Sequence, residues 1–240
     1  MFGFLHLPER AIAGNRIDKK ALYENADLSA NEKRWLKDDV ERITWEYRIA
    51  NDTVNIRGHV DDSVVYSEIQ VIGIALRSES HARNIADMML RSMPYPLIII
   101  ISHEEKVMIV GAHVHINQND RSRLTVEEPV RSKWLSVDDD LLEILDMSSP
   151  GPSDLRQLYT RFIDSLMRLN ISKERGSETV IEAADSKQVL DRLNIIDQDI
   201  RKLTTELRNE DHFNRQVELN GRIKKLQMER SRLLDSVSQR

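Results

Sequence analysis

At 240 residues with 40% apolar content, the chain has material for one sizeable core and an appendage rather than for two full domains. Its net charge of −5 excludes a nucleic-acid binder that works by whole-surface attraction, and leaves room only for a local basic patch. The absence of cysteine excludes disulfide staples and thiolate zinc sites; with no signal-peptide pattern and no apolar run of about 18 residues, the expectation is a cytoplasmic protein without a membrane span.

Residues 1 to 27 read as an extended arm with one helical turn around Lys19 to Glu24. Ser29 and Glu32 have the spacing of a capping box, in which hydroxyl and carboxylate satisfy each other's orphan amides, so a helix is predicted from Ala30 to Glu41. Ile43, Trp45, Tyr47 and Ile49 then alternate with polar residues, the period of a half-buried strand. Asn51 and Asp52 mark a turn, Thr53 to Arg57 a second short strand, and Gly58 with Asp61 and Asp62 the turn that follows. Val64 to Leu76 is rich in Val and Ile and reads as the central strand. Ser78 to Met93 carries Ala82, Ile85, Ala86, Met89, Leu90 and Met93 at helical spacing, and Pro94 and Pro96 end that helix. Leu97 to Ile101 is a run of aliphatics suited to a strand buried on both faces, with Lys106 to Val114 its hairpin partner.

Beyond it, a strand is predicted at Leu124 to Glu128, placed near an edge by Pro129, with Trp134 as an anchor. Asp138 to Leu145 reads as a short helix with acids in its first turn. After the breaker Ser148 to Ser153, a helix capped by Ser153 carries Leu155, Leu158, Tyr159, Phe162, Leu166 and Leu169 on one stripe. Residues 171–185 read as a linker. In the tail, Val189, Leu193, Ile196, Ile200, Leu203 and Leu207 alternate steps of four and three, and Leu219, Ile223, Leu226, Leu233 and Val237 repeat the pattern with Arg230 at one seam position. The runs are out of phase: stepping on from Leu207 lands on Glu210, Asn214, Val217 and Gly221. Two antiparallel helices joined near Asn209 to Asn214 reconcile them, and one long helix with a skip is the other solution.

Three groups of residues are candidate sites. His113 and His115 would share one face of a strand, with Gln118 and Asp120 just beyond, which suits a divalent metal; strand-end polar groups satisfied by water are the plainer reading. Glu68 and Gln70 stand on the central strand in an order of elements that resembles the core of the PD-(D/E)xK nucleases, where an acid and a lysine two residues apart, with an upstream Asp, hold a metal for phosphodiester hydrolysis. Here Gln70 replaces the lysine, and Asp61 or Asp62 would have to be the upstream acid. Arg222, Lys224, Lys225, Arg230 and Arg232 suit a nucleic-acid contact or, more simply, a solvated helix face. Phosphate loops, dinucleotide fingerprints, nucleophile elbows and HExxH helices are absent.

Four segments in order, EIQVIGIAL at Glu68 to Leu76, MPYPLIIII at Met93 to Ile101, AHVHINQNDRSRLTVEE at Ala112 to Glu128 followed by Trp134, and RNEDHFNRQVELNGRIKKL at Arg208 to Leu226, together resemble a bacterial and archaeal family of unknown function. The resemblance covers nearly the whole chain. It implies genes neighbouring helicases and DNA methyltransferases in loci of restriction-modification or phage-defence type, and names no catalytic residues. His115 stands where that family more often has a basic residue.

The expectation is therefore an α+β or α/β domain over residues 1–170 with a mixed sheet of five or six strands, a linker, and a helical coiled-coil tail or αα-hairpin over 186–240. The function expected is that of a non-catalytic adaptor in a DNA-modification or defence assembly. The tail seam Leu193, Ile196, Ile200, Leu203, Leu207, Leu219, Ile223, Leu226 and Leu233 would pair with itself, with a second copy, or with a helicase or methyltransferase partner. Contact with DNA stays open. The alternative is a Mg-dependent nuclease, intact or degenerate, centred on Glu68; otherwise no cofactor is expected.

Overall fold

The computed structural model describes residues 2–117, 124–175 and 183–236, the side chains of 183–187 and 213 excepted. The elements in order are β1 (Ile12–Ile17), α1 (Lys19–Asn25), α2 (Ala30–Asp38), β2 (Val40–Ala50), α3 (Asn51–Val54), β3 (His59–Val60), β4 (Val65–Tyr66), β5 (Glu68–Leu76), α4 (Ala82–Ser92), β6 (Leu97–His103), β7 (Lys106–Gly111), β8 (Val114–Ile116), β9 (Leu124–Val126), β10 (Val130–Arg131), β11 (Leu135–Ser136), α5 (Leu155–Arg175), α6 (Ala183–Arg208) and α7 (Phe213–Ser236). The fold is α+β, with two compact units, Met1–Leu166 and Met167–Arg240.

The first unit is built on a mixed sheet in the order β1-β2-β5-β6-β7, with β10 and β11 both paired to β7. Only β5 and β6 run parallel, joined through α4; every other neighbouring pair is antiparallel. The aliphatic run of β6 is the reason for this centre: Ile98 to Ile101 are fully buried, and no face of such a strand can be left in water. Successive side chains alternate between faces. Ile99, Ile101, Met108 and Val110 join the core beneath α2 and α4, together with Leu36, Ile85 and Met89. On the opposite face α5 approaches Gly111 closely, where a Cβ would lie 2.7 Å from Ile163 Cδ1. Tyr159 of α5 is fully buried beside it; its hydroxyl donates to Leu97 O at 2.6 Å and accepts from Ala112 N at 3.1 Å, tying the start of β6 to the end of β7. Burial pushes the Tyr159 phenol far above its ordinary range.

Local signals account for the starts and stops. The capping box forms as the sequence predicts, Ser29 N donating to Glu32 Oε2 at 2.8 Å, and Glu32 also pairs with Arg91 of α4. The helix stops at Asp38, ahead of the predicted Glu41, because Val40 already pairs with Leu76 in the sheet. Both edges of the sheet are irregular. β1 carries a bulge between Ile12 and Asn15 with Gly14 at φ 64°, and the far edge is split into two two-residue pieces, between which the Ser132 hydroxyl accepts from Ile109 N at 2.8 Å.

Several expectations are corrected. The N-terminal arm contains the edge strand β1, which escapes pattern reading because Gly14 interrupts its alternation. Thr53 to Arg57 is not a strand: Asn51–Val54 is one helical turn, ended by Asn55 in the left-handed region at φ 59°. Val65–Tyr66 pairs with His59–Val60 in a separate ribbon, so the central strand begins at Glu68. Leu124–Val126 also lies outside the main sheet, paired with β8. Asp140–Leu145 is a 3-10 helix. The cap of α5 is Asp154, whose Oδ1 accepts from Gln157 N at 2.9 Å, rather than Ser153.

In the second unit α6 and α7 form an antiparallel hairpin around the turn at residues 209–212. Leu203, Leu219 and Ile223 pack with Ile200, Leu207 and Leu226, and at the other end Leu193 and Leu234 close on Ile171 with Leu233 at their side. The two-helix solution to the phase break is the one adopted. α5 continues to Arg175 and α6 starts at Ala183, so the segment 171–185 is helical at both ends; residues 176–182 lie outside the described residues.

Candidate functional site

The first polar cluster joins β3 to the start of α5. His59 Nε2 lies 2.9 Å from Asp61 Oδ2 and its Nδ1 3.3 Å from Asp154 Oδ2. Carboxylates only accept, so both contacts are hydrogen bonds only in the imidazolium, whereas in the neutral ring Nε2 can instead accept from Arg156 Nη1, 3.3 Å away. The hydrogen bond to Asp61 and then that to Asp154 raise the His59 pKa above its ordinary value. Arg156 Nη1 reaches Asp61 Oδ2 at 3.2 Å. Asp61 also accepts from the Ser63 hydroxyl and from the amides of Ser63 and Val64; the Ser63 hydroxyl is first among the groups that hold its carboxyl well below the usual carboxylate range. Asp154 is lowered first by the Gln157 amide, the cap bond of α5. Two carboxylates face one guanidinium and one imidazolium, a neutral set while His59 is protonated.

The second cluster sits where β2 ends and β5 begins. Ala50 pairs with Glu68 and Arg48 with Gln70 across the two strands. Glu68 Oε2 accepts from Arg48 Nε at 2.9 Å, and Oε1 from Gln70 Nε2 at 2.8 Å. Arg48 Nη1 donates to Asp52 at 3.0 Å, a contact that raises the guanidinium pKa and lowers that of Asp52. Both oxygens of Glu68 are therefore taken by neighbours on the sheet. Of the acids in the nuclease-type reading, Glu68 is bonded to Arg48 and Gln70, Asp61 is engaged by its own turn and by His59, and Asp62 is exposed.

His113 precedes β8 and packs edge-on against Tyr159 at 6.2 Å, while His115 lies on β8, 4.0 Å from Glu127. Gln118 and Asp120 lie outside the described residues. Among the described residues no three His, Asp or Glu side chains come together as a metal site.

A third polar group, at the carboxyl ends of β5 and β6, escaped the sequence. His81 Nδ1 lies 2.7 Å from Asp39 Oδ2 and its ring stacks on Trp35 at 5.0 Å. Arg77 and Lys19 both donate to Val40 O, and Arg77 also reaches Lys37 O at the end of α2, where cations meet the negative end of the helix dipole. Its partners are 21 to 46 positions apart in the chain, which no local motif encodes.

In the second unit the seam residues meet one another. Leu193, Ile196, Leu203, Leu219 and Ile223 are buried, and Ile200, Leu207, Leu226 and Leu233 pack at their margins. Arg230, at the polar seam position, pairs with Glu174 and with Asp197 at 3.0 Å, and Arg192 pairs with Glu229. Outside the seam, Ile195, Val217 and Met228 are about half exposed.

The family model described as Domain of unknown function (DUF4391) matches residues 5–229. No curated protein and no solved structure matches the chain. Among the described residues no helix is long and apolar enough to cross a membrane.

Proposed function

We propose a role for this chain from the premise that it belongs to the DUF4391 family: that of a non-catalytic adaptor whose α6–α7 hairpin attaches it to a partner in a DNA-modification or defence assembly, with a helicase or a DNA methyltransferase as the partner class. The observation that carries the reading is the hairpin itself. It satisfies its own seam and still keeps Val217 and Met228 more than half exposed, so its outer surface, rather than the seam, is the part available to a partner. In the sheet unit, by contrast, the acids that a nuclease reading needs are bonded to neighbours: Glu68 to Arg48 and Gln70, Asp61 to Ser63 and His59.

The test is an affinity pull-down of the tagged chain from its own host, with and without residues 183–240, after circular dichroism has established that the truncated chain keeps its sheet. Recovery of a helicase or methyltransferase from the full chain alone is the expected result. Equal recovery from both forms would place the interface on the sheet unit, and metal-dependent DNA cleavage lost in Glu68→Ala would replace the adaptor with the nuclease.

A further inference from the structure

The two helices of the hairpin both present mixed outer faces, and only that of α7 holds a glycine. On α6 the positions opposite the seam are Asp191, Asn194, Ile195, Gln198, Arg201, Lys202 and Thr205, with Ile195 50% exposed and Lys202 paired with Asp199 at 3.9 Å. On α7 the positions opposite Leu219, Ile223 and Leu226 are Val217, Gly221, Lys224, Lys225, Met228 and Arg232, at the i, i+4, i+7, i+11 spacing of one helix face and its flanks. Val217 is 55% exposed and Met228 53%.

Two features of this stripe have no counterpart within the hairpin. Gly221 stands mid-helix, where glycine is the poorest residue after proline, and nothing lies within 4 Å of the place its Cβ would occupy. Neither a tight contact nor a positive φ inside the chain calls for it. Lys224, Lys225 and Arg232 have no carboxylate partner among the described residues, although the flanking acids of α7 are paired, Glu218 with Arg215 and Glu229 with Arg192.

A glycine between two exposed apolar side chains lets another backbone come close, and unpaired cations on both sides select for acid. We propose that this face of α7 is the docking surface for an amphipathic helix of another protein, one whose apolar stripe is flanked by Asp and Glu and whose backbone crosses α7 at Gly221. Nucleic acid fits less well, because phosphates gain nothing from Val217 and Met228. A second copy would bring the same cations against themselves. The proposal rests on the adaptor reading and narrows it to one face of one helix.

The test uses the full-length chain in its host, with a photo-crosslinking phenylalanine analogue in place of Met228 and, as control, in place of Gln198. The expected product at position 228 is a peptide of another protein with acidic, amphipathic helical sequence. Its yield should fall at least about tenfold in the triple variant Lys224→Glu, Lys225→Glu, Arg232→Glu, the scale of a loss of 1.4 kcal/mol or more. It should fall comparably in Gly221→Leu, a change that leaves helicity by circular dichroism equal or higher, so that lost binding is separated from lost folding. Crosslinks to nucleic acid or to the chain itself, a yield indifferent to these variants, or none above the Gln198 control would each overturn the assignment. If removal of residues 183–240 abolishes partner recovery while position 228 gives no product, the adaptor reading survives and the assignment to α7 fails.

Discussion

The sheet unit and the hairpin unit solve the same problem at different thicknesses. In the sheet, β6 is enclosed from both sides, by α4 with α2 and by α5, and its aliphatic residues reach zero exposure along the strand. In the hairpin, the seam is one residue deep: Leu219 is fully buried, but Ile223 and Leu203 keep 9% and 8% exposure, and Ile200 and Leu226 sit at the margin. A two-layer core protects every member with further layers, whereas a seam is protected only by its own partner helix. Order in the first unit is set by packing; in the second it depends on a few contacts together with ion pairs such as Arg230 with Glu174 and Asp197.

The largest effect should therefore come from the centre of the sheet. Ile99→Ala is expected to cost about 2–5 kcal/mol, a large part of the roughly 5–15 kcal/mol that stabilises a domain, and to lower the denaturant midpoint for the sheet unit. Leu219→Ala should cost about 2–4 kcal/mol, felt in the hairpin: amides of α6 and α7 lose hydrogen-exchange protection while those of β5 and β6 keep theirs. Equal loss of protection in both units would break the comparison.

What was legible in advance follows the same division. The run Leu97 to Ile101, the α4 stripe and the Ser29–Glu32 capping box are encoded within a few residues, and each appears, although α4 runs only from Ala82 to Ser92, with a 3-10 turn at Glu79–His81 ahead of it and Met93 past its end. The hairpin was legible as a phase break between Leu207 and Leu219. The His59 cluster was not, since its partner Asp154 lies 95 positions away and a lone His has no local pattern. Asp154 itself carries a local signal: Asp followed three residues later by Gln has the spacing of a cap, one position beyond the predicted Ser153.

Smaller effects sharpen the picture of how the sheet unit is tied together. Tyr159→Phe keeps the ring and removes the hydroxyl shared by Leu97 O and Ala112 N, at an expected cost of about 1–3 kcal/mol in chemical unfolding. The smallest effect is set by pH. Because the folded-state pKa of His59 is raised above 6.5, its stabilisation is fully present below that value and is lost as pH rises through the folded-state pKa. Wild type should thus lose more stability between pH of about 6 and about 8 than His59→Gln does, and the imidazole resonances of His59 should titrate above their unfolded position. A wild-type profile that parallels the variant's would show that the Asp61 and Asp154 contacts do not bind the proton.

The edges of the sheet bear on how the chain behaves when crowded with copies of itself. A strand as apolar as Leu97 to Ile101 is the kind of segment that recruits its like into fibrils whenever a matching edge is offered. Among the described residues the main sheet offers no long straight edge, because one edge is bent by the bulge at Gly14 and the other is cut into two-residue pieces, with the Ser132 hydroxyl occupying an amide of β7. The shape of the sheet's margins thus disfavours edge-to-edge pairing, and a substitution that straightened the bulge at Gly14 is expected to promote filament growth without removing any buried contact.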